Sequence, residues 1–154
     1  MGCDIHPHIE YKHFSESAYG WFAAPNLSQD YLLFALLAGV RREWVKEHFD
    51  IEITPVVAPR GLPEDASYGT KRGHGGYEIW SEVIEQWYLD EFHSASWLNT
   101  EELAAVAEIY FQTLGESFEE YKEQHGIEWG VELRAVLRAM EALPNARLVF
   151  WFDN

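Results

Sequence analysis

The stretch that decides the fold is CDIHPHIEYK, residues 3–12. In a β-strand, successive side chains point to opposite faces, so residues two apart share a face. Pro7 cannot donate to a hydrogen-bond ladder, and we therefore expect this strand to lie at a sheet edge or to bulge there. The face that results carries four ionisable side chains in a row: Asp4, His6, His8 and Glu10.

The other end of the chain reads RLVFWFDN, residues 147–154. Leu148–Phe152 is apolar at every position, which is typical of a central strand covered on both faces. The sequence therefore predicts an α+β fold, in which a small sheet including the N-terminal (3–12) and C-terminal (147–152) strands packs against three to five helices.

The helices are predicted from apolar residues spaced three and four apart. One runs from Asp30 to about His48 with Ser28 as its N-cap, and Asn99 with Glu102 resembles a capping box for another. The predicted helical segments are 30–48, 77–90, 99–114, 116–124 and 130–143.

Two stretches look irregular, namely residues 13–27 and residues 51–76. The second carries three of the six prolines and five of the eleven glycines. We expect it to begin with a short strand at Ile51–Thr54 and to continue as an extended loop. A loop of this length in a compact domain is usually functional or mobile. At 154 residues the chain is expected to form one domain, 1–154.

The composition excludes several classes of function. Eleven basic residues stand against 26 acidic ones, a net charge of −15, so nucleic acid is an unfavourable partner and the charge chiefly favours solubility. Cys3 is the one cysteine, which excludes an internal disulfide and fits a reducing compartment. The longest apolar run, Leu32–Val40, is about half of what a bilayer requires. We expect a cytoplasmic protein with no membrane partner, while the many aromatic residues leave homo-oligomerisation open.

A divalent metal, Zn or Mn, is the first chemical hypothesis. His residues two apart on one strand can both reach a single ion, and carboxylates beside them supply further ligands. Asp153 joins this group if the two terminal strands are neighbours. The alternative is a solvated polar strand face. The candidate metal ligands are Asp4, His6, His8, His93 and Asp153.

Anion binding is the second hypothesis. Arg60, held in the turn RGLP, suits a carboxylate or phosphate, although it could equally pair with one of the surplus carboxylates. His93 with Ser94 and Ser96 could hold a phosphate, or the serines could satisfy backbone groups near a helix start. His74, between glycines and close to Lys71 and Arg72, is either a ligand contact or a solvated loop tip.

Five segments resemble a family of uncharacterised phage and prophage proteins. They are MGCDIH (1–6), LFALLAGVR (33–41), RGLP (60–63), HSASWL (93–98) and FWFDN (150–154). The resemblance implies a phage-encoded accessory protein in the cytoplasm of a host cell, without a known activity. It includes Asp4, His6, Arg60, His93 and Ser94, but not His8 or His74.

Together these patterns favour a metal-assisted hydrolase of a small phosphorylated or nucleotide-like ligand. In this hypothesis Asp4 and His6 hold the metal, Arg60 clamps the anion, and His93 is a ligand or a general acid/base. One alternative is a non-catalytic counter-defence protein that sequesters a small anionic ligand in the same cleft. Another is binding of a basic host protein through an acidic surface, because nine Glu and one Lys lie between Glu101 and Glu132.

Overall fold

A computed structural model describes residues 2–72, 80–81, 86–87, 92–115, 119–120, 122–123 and 129–154. The fold is α+β, as predicted. The strands are β1 (Asp4–Tyr11), β2 (Gly20–Ala23), β3 (Trp80–Ser81), β4 (Gln86–Trp87), β5 (Phe92–Asn99) and β6 (Arg147–Asp153). The helices are α1 (Tyr31–Ala38), α2 (Arg42–Phe49), α3 (Tyr68–Arg72), α4 (Thr100–Leu114) and α5 (Val131–Ala142).

Four strands form an antiparallel sheet in the order β2-β1-β6-β5, and β3 pairs with β4 separately. The two terminal strands are neighbours, and their register runs without a break from Asp4 opposite Asp153 to Glu10 opposite Arg147. On one face of this pair lie the apolar residues of the core: Ile5, Ile9, Leu148, Phe150 and Phe152.

The core lies between this face and helices α1, α4 and α5. Helix α1 is at its centre, since every residue of Leu32–Ala38 is buried. No helix within the described part of the chain is long and apolar enough to cross a membrane.

Pro7 lies in an interior strand of the sheet, at the level where β2 ends. Its carbonyl accepts a hydrogen bond from the backbone N–H of Ala24 at 3.1 Å, and the pairing of β1 with β2 begins only at His8. The missing N–H therefore faces the point where β2 ends. Strand β1 lies between β2 and β6, and its register with β6 shows no bulge, so both expectations for Pro7, an edge strand or a bulge, were wrong.

The predicted helix over 30–48 is two helices. Gly39 ends α1 with φ 74°, and Arg41 adopts φ 62° before α2 begins. The helical spacing continues across this break, which is why the sequence pattern missed it. The N-cap of α1 is Asp30 rather than Ser28, because the Asp30 carboxylate accepts from the N–H of Leu33 at 3.1 Å.

Further expectations were wrong, including the two irregular stretches, since β2 lies within 13–27 and α3 within 51–76. The segment 77–90 is not one helix, because its described residues pair as β3 and β4. No strand forms at Ile51–Thr54. Residues 93–97 belong to β5 rather than to a break between helices, and a register shift between His93 and Ser96 interrupts the alternation that would have revealed the strand.

The caps predicted for α4 are confirmed. Asn99 and Glu102 form the capping box of α4, with both hydrogen bonds at 2.9 Å, and Gly115 caps its other end. Helix α5 falls within the predicted 130–143. Asparagine in this cap satisfies a backbone N–H that would otherwise have no intrahelical partner.

Asp30 links the start of α1 to α4. Tyr110 donates a hydrogen bond to its carboxylate at 2.5 Å. Burial is the largest influence on this carboxyl and raises the pKa of Asp30, despite the opposing hydrogen bonds from Tyr110 and Leu33. Burial and the Asp30 charge also raise the pKa of Tyr110, so the phenol remains the donor.

This pKa predicts a pH dependence of stability. Because the folded chain holds the Asp30 proton more tightly than the unfolded chain, this group's contribution to the free energy of unfolding falls as pH rises above about 4. Asp30→Asn keeps an N-cap acceptor and removes the titration. Urea unfolding from pH 4 to 7 should show a smaller loss of stability in the variant than in the wild type. If the free energy of unfolding depended on pH identically in the two proteins, the raised pKa of Asp30 would be contradicted.

Candidate functional site

The second face of the sheet carries the ionisable row of β1, as its alternation predicts. In register with these residues lie side chains of β6, so the row continues across the sheet. The opposed pairs are Asp4 with Asp153, His6 with Trp151, His8 with Val149 and Glu10 with Arg147. This face divides into a buried half and an open half.

The buried half is centred on Glu10, which is fully buried. One of its carboxylate oxygens lies 2.8 Å from Nε of Arg147. The other accepts hydrogen bonds from the N–H of Ser67 at 2.6 Å and from Oγ1 of Thr70 at 2.7 Å. Paired and hydrogen-bonded in this way, a charge can be held inside a protein. The Glu10 carboxylate therefore fastens the 65–72 segment onto the sheet.

His8 belongs to the same buried half. Its Nδ1 lies 3.3 Å from Oγ1 of Thr70, and its ring packs against Trp151 and Trp21 with centroid distances of 5.1 and 5.5 Å. Only 2% of the residue is exposed. Its described contacts thus join the β1 face to α3 and β2.

Arg147 holds this half together from β6. Its guanidinium contacts Asp65 at 2.9 Å in addition to Glu10, and it lies 3.6 Å from the centre of the Tyr19 ring. The guanidinium therefore bridges the sheet, the 65–72 segment and the hairpin between β1 and β2. This network was not predicted from the sequence, although an arginine and a glutamate within the two terminal strands are a signal that could have indicated it.

Removal of the Glu10 carboxylate should destabilise the fold strongly. Glu10→Ala leaves Arg147 buried beside an empty position, and a loss of about 3–5 kcal/mol in the free energy of unfolding is expected. Glu52→Ala is the matched control, because Glu52 pairs with Lys46 at 2.7 Å in an exposed ion pair. Urea unfolding of the two variants should separate them clearly, and equal losses would contradict a structural role for the buried pair.

The open half contains Asp4, His6 and Asp153. Nε2 of His6 lies 2.8 Å from Oδ2 of Asp153, and the two side chains are 18% and 34% exposed. The imidazole packs against Phe92 and Trp151, with ring centroids 5.7 and 5.8 Å away. These contacts orient the ring, so His6 is a positioned titratable group next to a carboxylate.

A cleft of about 380 Å³ opens beside this pair. It occupies the space next to the first half of β1, where β2 has ended, and is lined by Asp4, Ile5, His6, Pro7, Ala23, Ala24 and Asn26. Among the described residues its lining contains a carboxylate and an imidazole but no Lys or Arg, so these residues favour a cation over a bare anion.

The carboxylate of Asp4 points toward Gln29, whose Nε2 lies 2.9 Å away. Among the described residues, no three or more His, Cys, Asp or Glu side chains are arranged to hold a metal ion. Asp4, His6 and Asp153 therefore share one corner of the sheet without converging on a point.

His93 does not share the face of His6. It lies opposite Phe152 and stacks on that ring at 6.1 Å, on the core side of the sheet. Its Nδ1 lies 3.1 Å from Oγ of Ser94, which adopts φ 53°. Within the described residues, its Nε2 and the indole N–H of Trp151 are buried without a hydrogen-bond partner.

Arg60 forms an ion pair with Glu102 near the Asn99 end of β5. Both terminal nitrogens contact the Glu102 carboxylate, at 2.6 and 3.2 Å, and Nε donates to the carbonyl of Trp97 at 3.0 Å. The guanidinium also lies 3.5 Å from the centre of the Trp97 ring. Burial would raise the pKa of Glu102, but hydrogen bonds from Arg60 and Asn99 outweigh it and lower that pKa. Of the two interpretations, pairing with a carboxylate describes Arg60.

The remaining candidates have simpler positions. Ser96 is buried, and its hydroxyl accepts from the backbone N–H of Arg60 at 3.2 Å. Cys3 is buried too. Burial raises the pKa of its thiol, Arg41 lowers it and Asp153 raises it, and the net shift is upward. His74 lies outside the described residues.

Comparisons with known proteins do not add to this geometry. No protein-family model matches the chain, and neither the curated proteins nor the solved structures contain a significant match.

Proposed function

We propose that the chain is a metal-dependent hydrolase of a small phosphorylated or nucleotide-like ligand, which acts in the cleft beside Asp4 and His6. The observation that carries the proposal is the 2.8 Å contact between His6 Nε2 and Asp153 Oδ2 at the edge of that cleft. Two ligand atoms that are each about 2.0–2.2 Å from a tetrahedral Zn ion lie roughly 3.3–3.6 Å apart. The two atoms therefore need to move apart by only about 0.5–0.8 Å to share an ion.

Asp4 is the third ligand in this proposal. Directly opposed residues of an antiparallel pair have Cβ atoms about 4.5–5.5 Å apart, and Asp4 is the partner of Asp153. A change of its side-chain rotamer, away from Gln29, brings its carboxylate toward the His6–Asp153 pair. A His with two carboxylates leaves further coordination positions for water and a phosphate oxygen.

The charge of the cleft supports a role for a cation. The Asp4 carboxylate in the cleft and the Asp153 carboxylate beside it would repel a phosphorylated ligand, whereas a divalent ion between them would reverse the local field and supply Lewis-acid activation of water and phosphate. Arg60 and His93 are not part of this site, because their contacts lie elsewhere. The support for a role in an infected host cell is the resemblance of the five sequence segments to phage proteins.

Metal titration tests the proposal. Chain stripped with a chelator should bind one Zn²⁺ or Mn²⁺ in calorimetry, and the loaded protein should hydrolyse p-nitrophenyl phosphate or a nucleotide. His6→Ala removes a ligand and should weaken binding at least about 10–100-fold, the usual cost of losing even an indirect partner. His13→Ala, at an exposed position after β1, is the matched control. Absence of stoichiometric metal in the wild type after addition would refute the hydrolase.

The same cleft leads to a non-catalytic alternative. Mass spectrometry of small molecules that copurify with the chain separates the two: an intact phosphorylated ligand favours sequestration, and turnover of added ligand favours hydrolysis. The His6→Ala variant should lose either property.

An acidic surface is a second candidate function. The observation that favours it is the exposure of several glutamates on and after α4: Glu101, Glu108, Glu119, Glu120 and Glu123. Such a surface attracts a basic protein, and the attraction should fall steeply with ionic strength. We expect a lysine-rich test protein to bind at 20 mM NaCl and to be released at 300 mM. Replacing Glu108, Glu119 and Glu120 by Gln should reduce binding, and unchanged binding would remove this candidate.

A further inference from the structure

The outer edge of β2 is the feature that the proposed function does not use. Strand β2 ends the four-stranded sheet, and Trp21, Phe22 and Ala23 are exposed. Natural sheets usually protect an edge with charged residues, proline or a bulge, since an open edge pairs with other strands. The strand GWFA contains neither a charge nor a proline.

We propose that two copies of the chain associate through this edge, antiparallel, about a two-fold axis at Phe22. The inference is independent of the cleft and of any metal. Its basis is the direction of the backbone groups, the aromatic side chains beside them and the area that they expose.

The backbone direction follows from the pairing of β1 with β2. Ala24 donates to the carbonyl of Pro7, so this pair and every second pair after it, including Ile9 with Phe22, are the hydrogen-bonded pairs of the ladder. The N–H and C=O groups of Trp21 and Ala23 consequently point away from the sheet. A two-fold axis at Phe22 sets Trp21 of one copy opposite Ala23 of the other, which gives four main-chain hydrogen bonds.

The side chains are also self-complementary about this axis. Phe22 meets its own copy on one face of the joined sheet. On the other face Trp21 is held in place by α3: a Cβ built on Gly69 would lie 1.6 Å from the Trp21 ring, so the indole lies directly on the Gly69 backbone. An aromatic residue fixed in this way loses little conformational entropy on association.

The exposed area indicates a weak dimer. The aromatic residues at this edge are exposed by 45% (Trp21) and 37% (Phe22), and Tyr68, next to the Gly69 that contacts Trp21, is exposed by 66%. At about 150–250 Å² for each side chain they offer roughly 300 Å² per copy. Two copies together bury roughly 600 Å² of these side chains, less than the about 1,000 Å² of a stable specific interface, so a weak, reversible dimer is expected. The charge of −15 on each copy opposes association at low salt.

Site-specific cross-linking tests the axis. Phe22→Cys places two thiols on a non-hydrogen-bonded pair with Cα atoms about 4.5 Å apart, within the range for a disulfide. Trp21→Cys places them about 8 Å apart, beyond that range. Cys3 is buried and stays in place. Under mild oxidation Phe22→Cys should form the disulfide-linked dimer at least about 10-fold faster than Trp21→Cys or Ile109→Cys.

Sedimentation provides the second measurement. The wild type should shift with concentration from 17.9 kDa toward twice that mass, and association should strengthen between 20 and 300 mM NaCl. Phe22→Lys should weaken it at least about 10-fold. Ile109→Lys, which changes an apolar side chain on α4 of similar exposure (39%), should leave it unchanged. Equal cross-linking of the three Cys variants, a monomer at all concentrations, or association that weakens with salt would overturn the proposal.

Discussion

The antiparallel pairing of β1 with β6 is the constraint on which the rest of the structure depends. Seven consecutive residues of each strand are in register, from Asp4 opposite Asp153 to Glu10 opposite Arg147. A shift of β1 by one residue would exchange its two faces relative to β6, since side chains alternate along a strand. The core would then lose Ile5 and Ile9, and the ionisable row would turn into it.

The same register divides the polar face into two parts with different roles. Toward Glu10, charged groups are neutralised by Arg147 and covered by the 65–72 segment, which makes this part structural. Toward Asp4, β2 has ended and a cleft takes its place, so His6 and Asp153 remain partly exposed. Trp151 lies between these parts and packs against both imidazoles. The early end of β2, at the level of Pro7, is therefore what separates a candidate site from a buried ion network.

Local signals predicted the terminal strands, the capping box of α4, and α5, because alternation and caps depend on neighbouring residues. The sequence did not reveal β5, whose alternation is interrupted between His93 and Ser96, or the break between α1 and α2, which requires Arg41 at positive φ. For the site, alternation identified the correct face of β1. The alternation could not predict the tertiary partners of these side chains. Glu10 is hydrogen-bonded to Thr70, sixty residues away, and Arg60 pairs with Glu102, one of 26 acidic residues.

The long separation between the paired ends has a consequence for synthesis. His6 and Asp153 are 147 residues apart, so the central ladder of the sheet cannot close until the chain up to Asp153 has left the ribosome. Until then α1, apolar on all sides, has no sheet to cover it. Translation of this chain therefore passes through a stage in which the apolar segment Leu32–Ala38 has been made and the β1–β6 ladder has not yet formed.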